Sequence, residues 1–153
     1  MSSHIGGDLY AVDHKGRISI PADLRPGPDG KPLARLFINL GFDGCVNVYA
    51  PDAWEKRLHL IRRIPPGDVR GRAFRRAFLM DAREVTVDAQ GRVPIPPALI
   101  RRAGIGKEAR LHGDDDHIEI WDPVKFDQKV GPVIDVQGTY EDLAAEYLKD
   151  PLE

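Results

Sequence analysis

The sequence predicts an α+β, β-rich protein. Two tandem copies of one strand–turn–strand unit would close on each other as a small barrel-like core with flanking helices. Three observations predict it. First, residues 11–24, AVDHKGRISIPADL, return as TVDAQGRVPIPPAL at 86–99, so that Val12, Asp13, Gly16, Arg17, Ile20, Pro21 and Leu24 recur 75 positions on. Second, VNVYAP at 46–51 is matched by IEIWDP at 118–123, a shift of 72, and Trp54 is answered by Phe126. Third, apolar residues alternate with polar ones over short runs bounded by Gly and Pro, while the stretch between the copies carries helical spacing. One such unit is too small to bury its own apolar face, whereas two can bury each other's.

Residues 8–12 form a short strand candidate. Asp13 to Gly16 reads as a type I turn, with Asp at its first position and Gly at its fourth. Ile18 and Ile20 alternate around Ser19 as a half-buried strand, Pro21 ends it, and Ala22 to Arg25 make one helical turn. RPGPDGKP (25–32) is loop. LARLFINL (33–40) and CVNVY (45–49) are strands joined by hairpin chemistry at FDG (42–44). Pro51 and Asp52 open a helix, with Asp52 as its N-cap and Trp54, Leu58 and Ile61 on one face. Pro65-Pro66-Gly67 stops it. Asp68 caps a second helix whose apolar face is Ala73, Phe74, Ala77 and Phe78. In the second copy, 83–87 and 93–95 are strands around the turn Asp88–Gly91. Pro97 to Ala103 is a helix with Pro at its start and Gly104 past its end. A hairpin joins 108–112 to 117–121. Another helix opens at Asp122-Pro123 and is shortened by Gly131-Pro132. The last helix starts from a capping-box spacing at Thr139 and Asp142 and carries Tyr140, Leu143 and Tyr147 as a stripe.

A chain of 153 residues fits one compact domain or two very small ones. Its single cysteine, Cys45, excludes an internal disulfide framework and suits a reducing compartment. The start MSSHIGGDLY has neither the basic nor the apolar region of a secretory signal, and no apolar run reaches membrane length, so the expectation is a cytoplasmic protein. The net charge of −2 conceals an asymmetry. Residues 113–153 carry twelve acids and three bases, whereas the rest carries nineteen bases and twelve acids, with eight bases against two acids in 55–80. A basic body with an acidic tail is a layout of nucleic-acid binders, although a solvated helix face beside an acidic end has the same composition.

Each copy places an arginine four residues after an aspartate across a glycine: Asp13, Gly16, Arg17 and Asp88, Gly91, Arg92. Two readings stand side by side. The Asp caps the turn and the Arg pairs with it at the surface, worth about 0–1 kcal/mol. Alternatively a rigid turn holds a guanidinium outward, where it can grip a phosphate in bidentate fashion or read the O6 and N7 edge of guanine.

With DHKGRISIP, VYAPDAWEKRL, the arginine-rich 69–80 region, DAQGRVPIPPALIRRAGIGKEARL and IEIWDPVKF in this order and spacing, the chain resembles the MraZ family over nearly its whole length. The resemblance implies tandem swapped-hairpin units of the AbrB/MazE/MraZ-like kind, forming one pseudo-twofold small β-barrel. It also implies a sequence-specific DNA-binding transcriptional regulator, a repressor of the division and cell-wall gene cluster including its own promoter. Such a protein is nucleoid-associated and binds repeated promoter sites in double-stranded DNA as a ring-shaped homo-oligomer, an octamer. The family's DNA contact carries over to Arg17, with Lys15, Asp13 and Gly16 of its turn, and to Arg92, with Asp88 and Gly91. The second turn has Gln90 where the first has Lys15.

The expected division is a first repeat at 8–54, a helical linker at 55–82, a second repeat at 83–126 and an acidic helical tail at 127–153. No cofactor, metal, membrane or small-molecule substrate is expected. The run His112-Gly-Asp-Asp-Asp-His117 lacks the Asp spacing of a calcium loop, and a turn between strands accounts for it. Cys45 on a strand reads as a buried thiol. No P-loop, GxSxG or HExxH stands in the chain, and no nucleophile with its base can be assembled, so an enzyme is not expected. The alternative function is an antitoxin-like interaction module of the same fold.

Overall fold

The computed structural model describes residues 4–150. The chain divides after Asp122 into two compact units. The larger contains, in order, β1 (His4–Gly6), β2 (Leu9–Ala11), β3 (Arg17–Ser19), a 3-10 turn (Ala22–Leu24), β4 (Arg35–Leu40), β5 (Val46–Tyr49), α1 (Pro51–Arg62), α2 (Val69–Met80), β6 (Arg83–Thr86), β7 (Arg92–Pro94), α3 (Pro97–Ala103), β8 (Glu108–Asp115) and β9 (Ile118–Trp121). The smaller contains α4 (Pro123–Ile134) and α5 (Thr139–Tyr147). The mixed α+β, β-rich class is the one expected.

The two copies do not fold side by side. The strands run β1–β8–β9–β5–β4–β6, with β2 also on β8, and every pair is antiparallel. Each copy's first strand is thus added to the other copy's hairpin: β2 lies on β8, and β6 lies on β4. The hairpins meet along β5 and β9, where Asn47 faces Glu119. The strands after the arginine turns form a separate ladder, β3 with β7, in which Ile18 faces Val93. Ile20 N–H donates to Gly91 O and Ile95 N–H to Gly16 O, both at 2.9 Å, so the same bond is made in each direction. The hydrogen-bonded path of the larger sheet is open, ending at β6 on one side and at β1 and β2 on the other.

The period-two alternation explains the layers. Leu36, Ile38, Val46, Val48, Leu111, Ile118 and Ile120 point to one face and pack with Ile18, Ile20, Val93, Ile95 and Leu99. The intervening residues Phe37 and Tyr49 point to the other face, under α1 and α2. There the Trp54 ring stacks between Phe37 and Phe78, 5.5 Å from each and within 7° of parallel. A strand buried on both faces is why VNVY holds no exposed residue. Of the predicted α2 stripe, Phe78 is buried here and Phe74 remains exposed. Cys45 is buried too, and desolvation pushes its thiol pKa up, as an inert thiol requires.

Helix ends follow their chemistry with three departures. Asp68 caps α2, accepting the Gly71 N–H at 2.9 Å, and Gly104 ends α3 at φ 66°. Asp52 does not cap α1: Pro51 takes the first helical position, so Ala50 is the cap, and Asp52 Oδ1 accepts the Ala53 N–H at 2.9 Å within the first turn. Pro132 does not shorten α4, which runs on to Ile134. The N–H it lacks falls in the last turn, and Asp135 N–H still reaches Gly131 O at 2.8 Å. Thr139 is not the cap of α5: Gly138, at φ 86°, holds that place and accepts the Asp142 N–H at 2.9 Å. Among the described residues no helix is long and apolar enough to cross a membrane.

Candidate nucleic-acid interface

Each arginine turn is built by its aspartate. Gly16 N–H donates to Asp13 O at 2.9 Å and Asp13 N–H to Arg17 O at 3.0 Å, which closes the turn. Gly16 sits at φ 76°, where a side chain would be strained, and a Cβ there would lie 3.0 Å from Ile100 Cδ1. Asp13 Oδ1 accepts the N–H groups of Lys15 and Arg17, both at 2.9 Å, and Oδ2 accepts Arg17 Nε at 2.8 Å. The second turn repeats this. Asp88 Oδ1 accepts from Gln90 and Arg92 N–H at 2.9 Å, and Oδ2 accepts Arg92 Nε at 3.1 Å, with Gly91 at φ 79°.

The arginines are therefore gripped at Nε, with the guanidinium plane set by a backbone-anchored carboxylate. Both are about a quarter to a third exposed, at 29% for Arg17 and 27% for Arg92. The β3–β7 ladder brings the turns together: Arg17 faces Pro94 and Arg92 faces Ser19. Arg92 Nη1 reaches across to Asp13 Oδ2 at 3.5 Å, so both guanidinium groups converge on one carboxylate oxygen. Lys15 and Gln90 stand exposed at the turn tips. Two aspartates against two arginines leave the pair of turns without net charge, and Lys15 tips the first turn positive.

The aspartates are held ionised. The Arg17 backbone N–H, before the Arg17 side chain and the Lys15 N–H, outweighs desolvation and pulls the Asp13 carboxyl from 3.8 to about 2. The Arg92 N–H does the same to Asp88, whose pKa is lowered. A carboxylate with a depressed folded-state pKa stabilises the fold above its unfolded pKa, and loses that contribution as pH falls through the folded value. The stability gap between the wild type and Asp13→Asn is thus expected to be constant above pH 5 or so and to close between about pH 4 and 2. Chemical denaturation across that range measures it, and a gap independent of pH would contradict the turn's construction.

Sequence reasoning named every one of these residues but missed Arg25. Its Nε donates to Ile20 O at 2.8 Å and its Nη1 to Leu33 O at 2.9 Å, tying the loop 25–33 to the strand that supports the second turn. At the shift of 75 its counterpart is Ile100, so the repeat gave no signal for it.

The fold and the turns define a class: duplicated hairpin units that exchange strands and present paired, aspartate-braced arginines. A family model described as "MraZ protein, putative antitoxin-like" matches residues 5–76 and 78–132. Similar curated proteins, each named "Transcriptional regulator MraZ", include that of Alkaliphilus oremlandii, 37% identical over 81% of this chain and 84% of its own. That of Thermomicrobium roseum is 34% identical over 78% and 81%, and that of Clostridium acetobutylicum 35% over 92% and 96%. The chain belongs to the MraZ family.

Proposed function

We propose that this chain is a sequence-specific DNA-binding transcriptional regulator whose contact with double-stranded DNA is made by Arg17 and Arg92. Asp13, Gly16, Asp88 and Gly91 shape the two turns, and Lys15 adds a phosphate contact to the first. The observation that carries the reading is the convergence of both guanidinium groups on Asp13, at the head of one two-stranded ladder. The Arg17 guanidinium, fixed at Nε, presents its outer N–H groups to an acceptor pair such as guanine O6 and N7, whereas Arg92 also leans through Nη1 on Asp13 at 3.5 Å. The names of the relatives support regulation of transcription.

In this reading the repeats at 8–54 and 83–126, with the linker 55–82, wrap about a pseudo-twofold axis as a small barrel, and 127–153 is an acidic tail. The chain acts as a repressor of the division and cell-wall gene cluster, its own promoter included, in the cytoplasm and on the nucleoid. One pair of turns offers too few contacts for useful affinity at cellular salt. A ring of subunits, an octamer, meets repeated sites and raises the effective concentration of each next turn. Footprinting on DNA upstream of the protein's own gene, with light scattering for mass, is expected to give regularly spaced protection by an oligomer. Uniform, sequence-independent protection would overturn the specificity.

The words "antitoxin-like" in the family description favour a second reading, a module that binds a small toxin. Stoichiometric capture of such a protein, with no promoter protection, would favour it.

A further inference from the structure

The β8–β9 hairpin carries a second group of chemically active side chains, none of which belongs to the arginine turns. His112 faces Glu119 across the ladder, so the two leave the sheet on the same side. Asp114, two residues further along β8, shares that side. His112 Nε2 lies 2.9 Å from Asp114 Oδ1, and one ligating atom from each of His112, Asp114 and Glu119 falls within 4.8 Å of the others. Glu119 is held from behind. Trp121 Nε1 donates to its Oε1 at 3.0 Å, and His117 Nε2 lies 3.1 Å from its Oε2. His117 is oriented in turn by Asp116, whose Oδ1 is 2.6 Å from Nδ1. The Glu119 side chain is 18% exposed and that of Asp114 53%, so the group has a supported floor and an open lip.

The duplication supplies an internal control. In the first copy's hairpin Asn39 faces Asn47 where the second has His112 facing Glu119, and Gly41 stands in the place of Asp114. Both asparagines are buried and structural: Asn39 Nδ2 donates to Phe78 O at 3.2 Å, and Asn47 Nδ2 to the Tyr49 hydroxyl at 2.9 Å. The same ladder therefore folds with two neutral amides. The hairpin does not demand an imidazole and two carboxylates on one side, nor a tryptophan and a histidine fixing one of those carboxylates.

We propose that His112, through Nε2, and Asp114 and Glu119, through one oxygen each, bind a transition-metal dication of the Zn²⁺ class, with Trp121 and His117 as positioning residues for Glu119. An imidazole with two carboxylates is a zinc-type donor set that keeps a fourth position for water. Mg²⁺ and Ca²⁺ take all-oxygen shells with more ligands. Around Zn²⁺ at about 2.0–2.2 Å the donor atoms stand roughly 3.4 Å apart. With the donor atoms up to 4.8 Å apart, reaching this needs a closure of up to about 1.4 Å, while His112 Nε2 and Asp114 Oδ1, now 2.9 Å apart, part slightly to admit the ion. A ligating carboxylate is held in place by the hydrogen bonds behind it, here from the Trp121 indole and the His117 imidazole, and losing such support weakens metal binding.

The test uses the full chain stripped of metal. Titration calorimetry with Zn²⁺ is expected to show one equivalent per chain. His112→Gln and Glu119→Gln should each weaken it about tenfold or more, as should Trp121→Phe through the lost support of Glu119. Asp115→Asn, in the same acidic run but at the next strand position, should leave affinity unchanged. Co²⁺ in place of Zn²⁺ reads the donor set in the wild type, without relying on any variant. Visible bands of a nitrogen–oxygen site, shifted by Trp121→Phe, support the proposal. A thiolate charge-transfer band would place the ion on Cys45 and overturn it. So would the absence of stoichiometric Zn²⁺ uptake, or equal affinity in wild type and His112→Gln.

Discussion

Arg17→Ala is expected to abolish the proposed specific DNA binding while leaving the fold and the proposed oligomer intact. The turn survives because its bonds are backbone bonds: Asp13 still accepts the N–H groups of residues 15 and 17, and the Gly16 N–H still donates to Asp13 O. What goes is the outward face of one guanidinium. A bidentate arginine–guanine pair is worth about 1–3 kcal/mol of discrimination, and every 1.4 kcal/mol is tenfold in affinity. In a multivalent assembly the loss recurs at each engaged subunit, so the specific complex should weaken by a hundredfold or more, on the order of two such pairs. Arg17→Lys separates charge from geometry, since it keeps the cation and loses the fork. It should retain salt-dependent, non-specific retardation and lose the preference for the operator. Arg92→Ala should be milder, because Arg92 also leans on Asp13 at 3.5 Å and its turn offers Gln90 in place of Lys15. Mobility-shift titrations with operator and scrambled DNA, beside light scattering, measure all three. Arg17→Ala binding the operator as tightly as the wild type would end the proposed role.

Why the turns were legible and their partnership was not has a physical cause. Asp13, Gly16 and Arg17 build their turn from bonds within five residues, so its chemistry is written locally and written twice. The Asp68 cap and the Gly104 stop are local in the same way. Which strand lies on which is settled by packing between residues about 50 to 100 apart, as in Leu36 with Val85 and Tyr10 with Ala109, and no periodicity reports it. The resemblance implies swapped hairpins, but the particular pairings, β2 on β8 and β6 on β4, and the bridge from Arg92 to Asp13 surface only in the fold. The departures at helix ends are also contextual. Asp52 and Thr139 are good capping residues whose neighbours, Pro51 and Gly138, claim the boundary on backbone grounds. The acidic run at 114–116 looks like a simple turn in sequence. Only the ladder register separates Asp114, which joins His112 and Glu119, from Asp115 beside it.

Ile18→Ala is expected to destabilise both copies at once. Ile18 is fully buried, faces Val93 in the β3–β7 ladder, and belongs to a core drawn from both repeats. Removing three buried carbons at such a site costs about 2–5 kcal/mol, a large part of the roughly 5–15 kcal/mol that holds a domain folded. At a urea slope of about 1–3 kcal/mol/M, the unfolding midpoint should fall by roughly 1–2 M. The tryptophans make the experiment local. Trp54 lies on α1 after the first hairpin and Trp121 on β9 of the second, both within the larger unit. Read one at a time in Trp→Phe backgrounds, their transitions should coincide in the wild type and move together in Ile18→Ala. Independent tandem domains predict otherwise: only the Trp54 transition would move, because Ile18 belongs to the first copy. Coincidence follows from the strand exchange, since unfolding one copy strips β2 or β6 from the other's sheet and opens the shared face along β5 and β9. Separate midpoints would mean that the exchanged strands contribute little, and that the two arginine turns are held in register by something other than their common core.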